Sequence, residues 1–196
     1  YQIGMLEDKD LLSFEKDSSD LAGHPVRNLK KGIEFSTGSL GMGISIAVGL
    51  GIAFKKKKIK NKIFVVVGDG ECNEGSNWES LMTAAHYQLD NLIIFIDKNN
   101  FQQTGTCDDI LRTGNLSKKF ESFNCFSQEI DGHDHFQIYK AISKNLNEPR
   151  PNLIVANTTK GKGIDLFENK NEWHHSVLSK KIYEEALINL NKNYGY

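Results

Sequence analysis

Two unbroken apolar runs rich in β-branched residues, 63–67 (IFVVV) and 92–96 (LIIFI), dominate the hydrophobic pattern of this chain. Each stops at small and polar residues: Gly68-Asp69-Gly70 after the first, Asp97-Lys98-Asn99-Asn100 after the second. Continuous apolar runs of this length suit strands buried on both faces, as in parallel sheets. Between them, from about residue 75 to 87, Trp78, Leu81, Met82 and Ala85 recur at i, i+3, i+4 and i+7. That spacing predicts a helix with this stripe facing the core. The stretch is therefore one strand–helix–strand unit with polar loops at the carboxyl ends of both strands, where ligands sit in open parallel sheets.

The remaining pattern extends the same architecture. Residues 8–14 form a short amphipathic helix with Leu11, Leu12 and Phe14 inward. Residues 32–54 (GIEFSTGSLGMGISIAVGLGIAF) carry glycines at 38, 41, 43, 49 and 51. Small residues at helical spacing predict a tightly packed helix, with Ala47, Val48 and Gly51 in the core and a Ser or Thr of the preceding loop as its N-cap. A short helix over 116–126 leads into a strand at 126–130. Asp134 caps a helix through Phe136, Tyr139, Ala141 and Ile142. Residues 151–158 supply a fourth strand, and 179–191 a last helix. The sum is a single α/β domain over 1–196, with a mostly parallel sheet and helices on both faces. The chain starts at Tyr1 rather than Met, and an upstream segment outside this sequence is expected.

Composition narrows the function classes. With 24 Lys and Arg against 25 Asp and Glu, the net charge is −1. That gives no reason to expect nucleic acid or another polyanion as partner. The one dense basic patch, Lys55 to Lys58 with Lys60 and Lys62, reads as a solvated helix end favoured by the dipole. No apolar run approaches the length that spans a bilayer, so no membrane role is expected. Cys72, Cys107 and Cys125 show no CxxC spacing, and three is an odd number. Reduced thiols and a cytoplasmic setting follow.

The two loops carry the chemistry. Asp69 offers a carboxylate and Asn99 an amide oxygen, hard donors suited to Mg²⁺, with Ca²⁺ or Mn²⁺ as substitutes. Gly68 and Gly70 let the backbone come close to a ligand, and N–H groups at a helix start favour an anion. A metal with a diphosphate is the natural ligand. Asp-Gly alone is a common turn, but GDG followed about thirty residues later by NN is far more specific. No strand pattern precedes the glycines at 38–43, and GxGxxG is not matched, so a dinucleotide site is excluded.

GDG…NN is the signature of thiamine diphosphate enzymes, and the flanking segments make the chain resemble the transketolase family. These are Gly23-His24-Pro25, Ser36-Thr37-Gly38-Ser39-Leu40-Gly41, Asp131-Gly132-His133-Asp134, Thr158-Thr159-Lys160-Gly161-Lys162-Gly163 and Trp173-His174. The resemblance covers about Gly23 to His174. It is closest to the separate N-terminal subunit of split transketolases, which holds the diphosphate half of a thiamine diphosphate-binding fold.

The resemblance implies roles residue by residue. Asp69, Asn99 and the carbonyl of Phe101 would hold the metal. Gly38, Ser39, Leu40, Gly68, Asp69, Gly70, Glu74, Asn99 and His174 would contact the cofactor. His24 and His174 would face substrate and move protons. Either His174 or His175 could point inward, because His175 stands where the family usually has Gly. Glu74 and Glu79 would lie near a subunit interface, whereas His86 reads as a packing residue and His133 as orienting its loop. The implied reaction is transfer of a two-carbon ketol unit from a ketose or ketose phosphate to an aldose. The family's pyrimidine-binding domain is not in this sequence, so a C-terminal partner subunit in an α₂β₂ assembly is expected, or else the chain is a fragment of a longer enzyme. A non-catalytic cofactor-binding or scaffold subunit is the alternative from another class. Deoxyxylulose phosphate synthase and the 2-oxoacid dehydrogenase E1 α-subunit share GDG…N, but the GHP, STGSLG and GKG…WH segments argue against them.

Overall fold

The computed structural model describes residues 1–144 and 148–195. Strands β1 (Ile63–Gly68), β2 (Leu92–Lys98), β3 (Phe126–Asp131) and β4 (Asn152–Asn157) form one sheet in the order β1-β2-β4-β3. Every neighbouring pair is parallel. All four carboxyl ends therefore open onto one edge of the sheet. The sequence reading of the strands holds to within two residues. β1 and β2 run on through Gly68 and Lys98 because their backbones keep pairing, Gly68 opposite Asp97, after the side chains have turned polar.

The helices are α1 (Asp8–Leu12), α2 (Gly43–Lys56), α3 (Gly75–His86), α4 (Cys107–Ile110), α5 (Leu116–Ser122), α6 (His135–Lys144) and α7 (Lys180–Tyr194). One face of the sheet packs on α2, α3 and α5. There Val67, Leu92, Ile94, Ile96, Leu153 and Val155 meet Ile44 and Ala47 of α2, Leu81 and Ala84 of α3, and Phe120 of α5. On the other face Ile93 and Ile154 meet Ala141 of α6. Helices thus lie on both faces, as expected. The second face is bare over β1, at the edge of the described sheet, where Phe64 is 53% and Val66 72% exposed. No helix among the described residues is long and apolar enough to cross a membrane.

Three expectations about the helices are corrected, two about faces and one about a cap. Met82 is 61% exposed, and the buried face of α3 is Asn77, Ser80, Leu81 and Ala84. The small residues win that face because α3 lies close against α2, with Ser45 and Ser80 hydroxyls 2.7 Å apart. A thioether at position 82 falls one step off the line of contact. In α1, Leu11, Leu12 and Phe14 point outward, and the buried residue is Asp10. Its carboxylate pairs with Lys31 at 2.5 Å and accepts the Glu7 N–H at 2.9 Å, so polar pairing and not an apolar stripe fixes this helix. Finally, α2 starts at Gly43 with Met42 at its N-cap and no side-chain cap bond, so the expected Ser or Thr cap is absent there. The cap of α6 is as expected: Asp134 Oδ1 accepts the N–H groups of Phe136 and Gln137 at 2.8 and 3.1 Å.

Trp78 ties three elements together. Its ring stacks on Phe120 of α5 at 5.3 Å and meets Phe123 at 5.4 Å. Its Nε1–H donates to the Cys72 carbonyl at 2.9 Å, in the single 3₁₀ turn that follows β1. Replacing Trp78 by Phe should keep most of the packing and lose the hydrogen bond, costing about 1 kcal/mol. Trp78→Ala should cost about 3–5 kcal/mol. Urea denaturation checks both; equal losses for the two variants would show that the ring packing carries little of the effect.

Candidate functional site

Parallel pairing places Gly68 beside Asp97, so the chain leaves β1 and β2 side by side. The Asp69 N–H donates to the Asp97 carbonyl at 3.1 Å, one further rung of the ladder. The Asp69 side chain then turns under the loops and is 1% exposed. Oδ1 accepts the Gly70 N–H at 2.9 Å, and Oδ2 accepts the Asn100 N–H at 2.7 Å. Asn100 reaches it from a left-handed conformation (φ 66°), which Asn tolerates better than most residues. Burial pushes the Asp69 carboxyl above its ordinary pKa; the N–H bonds from Asn100 and Gly70 and the Cys107 thiol pull it back, and Asp97 pushes it up. Among the described residues no Lys, Arg or His forms an ion pair with it. Buried carboxylates are normally paired with a cation or bound to a metal.

Asn99 follows on the neighbouring strand end. Its Nδ2 donates to Asp97 Oδ2 at 3.1 Å, and its Oδ1 accepts the Phe101 N–H at 2.9 Å. Phe101 opens a tight turn closed by a bridge to Thr106. The structure thus brings Asp69, Asn99 and Phe101 onto one loop face. Among the described residues no group of three or more His, Cys, Asp or Glu side chains is placed to hold a metal. The oxygen-bearing groups on this face, the Asp69 carboxylate, the Asn99 amide and the Phe101 main chain, would suit a hard divalent cation completed by ligand oxygens and water.

The glycine-rich loop docks against the same face. Gly38 has φ 131°, and a Cβ there would lie 2.1 Å from the His24 ring, so only glycine lets the imidazole close on this loop. The Gly41 N–H donates to Glu71 Oε1 at 2.8 Å, while Glu71 Oε2 accepts the Gly68 N–H at 3.3 Å. The Gly41 carbonyl accepts from Ser76 Oγ at 2.8 Å. A Cβ on Gly41 would meet Glu74 Cβ at 2.7 Å. Glu71, Glu74 and Ser76 therefore clamp the loop onto the turn after β1 and the start of α3. Ser39 and Leu40 stay exposed at its tip.

The loops after β3 and β4 complete the face. His133 Nε2 accepts the Thr159 N–H at 2.8 Å, and the Thr158 hydroxyl donates to Asp97 Oδ1. Asn171 Nδ2 donates to the Gln103 carbonyl at 3.0 Å, which sets the short 3₁₀ turn Asn171–His174 beside the turn from Phe101. His174 is exposed, with Nδ1 at 3.3 Å from Lys160 Nζ. Partial desolvation, then Lys160 and His175, hold its pKa below the ordinary imidazole value. His175 is exposed beside it. No hydrogen bond or ion pair among the described residues joins His24 or His174 to Asp69 or Asn99. Glu79 is exposed, and His86, expected to be packed, is exposed with its ring edge-on to Tyr87 at 5.0 Å.

Three polar residues that sequence reasoning left without a role now have one: Asp97, Glu71 and Thr158. Asp97 precedes Asn99 by two residues, and that spacing was the available signal. The thiols are inert by position. Burial raises Cys72 to about 12, Cys107 to about 11 and Cys125 to about 12, with the Asp69 charge adding to the first two. A hollow of about 750 Å³ between α2, β1 and residues 27–35 contains neither Asp69 nor Asn99.

Comparison with known proteins places this arrangement. Residues 3–196 match the family model described as transketolase, thiamine diphosphate binding domain. An apulose-4-phosphate transketolase subunit from Actinobacillus succinogenes is 44% identical over 189 residues, which cover 96% of this chain and 68% of that protein. The subunit of the same name from Phocaeicola vulgatus is 37% identical over 170 residues, 86% of this chain and 60% of that one. The transketolase structure from Campylobacter jejuni superposes with a TM-score of 0.87 at 31% identity, over 96% of this chain and 30% of that one. The chain thus spans about two thirds of these two apulose-4-phosphate transketolase subunits and under a third of the long transketolase chain. With a parallel sheet that gathers its oxygen donors at the carboxyl ends, and a match over nearly the whole sequence, this chain belongs to the transketolase family, in its thiamine diphosphate-binding domain.

Proposed function

We propose that this chain holds Mg²⁺ (or Ca²⁺ or Mn²⁺ in its place) and the diphosphate of thiamine diphosphate at the carboxyl ends of β1 and β2. It acts as the diphosphate-binding part of a transketolase, in which a two-carbon ketol unit passes from a ketose or ketose phosphate to an aldose. The observation that carries this reading is Asp69: a nearly fully buried carboxylate, held by two backbone N–H groups, with no cationic side chain paired to it among the described residues. A divalent cation held by it and by Asn99 Oδ1 would relieve the buried charge. The Phe101 carbonyl would be the third protein ligand. Gly68, Gly70 and the loop Gly38-Ser39-Leu40 line the cofactor, with Glu74 beside them.

The bound cofactor supplies a nucleophilic carbon and an electron sink, so the hard chemistry is its own. The chain's part is binding and proton handling. His24 is seated on Gly38, and partial desolvation, Lys160 and His175 hold the His174 pKa below the ordinary imidazole value. Both present imidazoles that accept or return protons at substrate hydroxyls. The reading also places a second, pyrimidine-binding subunit over this face, in an α₂β₂ assembly in the cytoplasm. Support for a partner comes from the two relatives named as transketolase subunits and from a third, the 6-deoxy-6-sulfo-D-fructose transketolase subunit SqwG of Clostridium sp., 37% identical over 82% of this chain.

Two measurements test this. Titration of thiamine diphosphate in the presence of Mg²⁺, followed by calorimetry, should show binding that Asp69→Ala weakens by more than about 100-fold, beyond the loss typical of outer partners of a metal site. Binding that Asp69→Ala leaves unchanged would remove the metal from this loop. Native mass spectrometry of the protein from its own cells should find it with a second, different chain. In that complex His24→Ala should retain the cofactor and lose about 10²- to 10⁴-fold in ketol transfer. A wild-type complex that binds cofactor and transfers no ketol unit would assign this chain to a non-catalytic binding role.

A further inference from the structure

Asn99 makes its two side-chain hydrogen bonds to groups that cannot exchange roles. Nδ2 points at the Asp97 carboxylate and Oδ1 at the Phe101 N–H. The carboxylate only accepts, and the N–H only donates. A flipped amide would set oxygen against carboxylate and N–H against N–H. The orientation is thus dictated by its neighbours. Oδ1 takes one N–H here, and an amide oxygen has a second lone pair to offer.

Asp97 is itself held. Its second oxygen, Oδ1, accepts from the Thr158 hydroxyl at the end of β4. Its main-chain carbonyl accepts the Asp69 N–H at 3.1 Å. One residue therefore touches the ends of three neighbouring strands: Asp69 after β1 through its backbone, Asn99 after β2 through Oδ2, and Thr158 after β4 through Oδ1.

We propose that Asp97 is the positioning residue of the cation site, fixing the Asn99 amide so that its oxygen, and not its NH₂, faces the cation, with Thr158 fixing Asp97 in turn. This rests on the metal reading given above and assigns the residue that makes Asn99 a ligand. Asp97 does not touch the cation. Its effect passes through the amide it orients, as partners of metal ligands commonly act.

The test uses the full chain with Mn²⁺ as probe and thiamine diphosphate present, with free Mn²⁺ read by electron paramagnetic resonance. Asp97→Ala should weaken Mn²⁺ binding about 10- to 100-fold. Asp97→Asn removes the same charge but keeps an acceptor for Asn99, because the Thr158 hydroxyl can turn from donor to acceptor and take the new NH₂. It should recover most of the lost affinity. Adding Thr158→Val to Asp97→Asn frees the new amide to rotate and should bring affinity back down to the Asp97→Ala level. Metal-free chains give a second readout: in ¹⁵N–¹H spectra one Asn99 side-chain proton should exchange slowly in wild type and fast in Asp97→Ala, with the backbone spectrum otherwise retained. Wild-type Mn²⁺ affinity in Asp97→Ala, with binding lost in Asp69→Ala, overturns the proposal and leaves the metal site standing. Equal losses in Asp97→Asn and Asp97→Ala also overturn it, since charge alone would then explain both. A wild-type chain that takes up no Mn²⁺ while keeping the slow Asn99 proton overturns the metal reading, and this role with it, but not the contact.

Discussion

The Asp69 carboxylate takes one N–H from its own turn and one from the neighbouring strand end, and the geometry of the loop face follows from that sharing. Hydrogen bonds to a charged group contribute roughly 1.5–3 kcal/mol each, while withdrawing a carboxylate from water costs several kcal/mol even after relaxation. The two bonds and the burial are therefore of similar size, with burial ahead, since the carboxyl is held above its ordinary pKa. A site balanced in this way is organised without being satisfied. A cation would tip the balance, so the residue that links β1 to β2 is also the one on which the proposed metal site rests.

Much of this was visible in the residues, and the reason is the parallel sheet. Strands covered on both faces must be apolar throughout, so 63–67 and 92–96 announced themselves, and their polar ends marked the loops where Asp69, Asn99 and Phe101 meet. Helix faces were harder to read. Periodicity alone put Met82 and Leu11 inside. The close approach of α2 and α3 favours Ser80 and Ala84 over a larger side chain, and α1 is fastened by Asp10 and Lys31. Hydrophobicity says which residues can be buried; the distance to the neighbouring element decides which are.

The residues that escaped sequence reading share one property. Asp97, Glu71 and Thr158 act on other residues of the chain, not outward, so nothing in their own chemistry sets them apart from surface polar residues. Glu71 spans from the Gly41 N–H to the Gly68 N–H, joining two glycine loops 27 positions apart in the chain. That contact appears only once the fold has brought the loops together. The glycines themselves were legible, yet their reason is steric and local: the His24 ring fills the space beside Gly38, and Glu74 the space beside Gly41.

The buried thiols have a use of their own. Cys72 and Cys107 lie beneath the loop face, close enough to Asp69 for its charge to raise both, whereas Cys125 precedes β3 at the opposite end of the sheet. With thiolate suppressed at all three, an alkylating reagent reaches them only when the chain opens locally. The protein thus carries built-in reporters at both ends of its sheet. Their relative labelling rates would tell whether the loop end breathes independently of the scaffold beneath it.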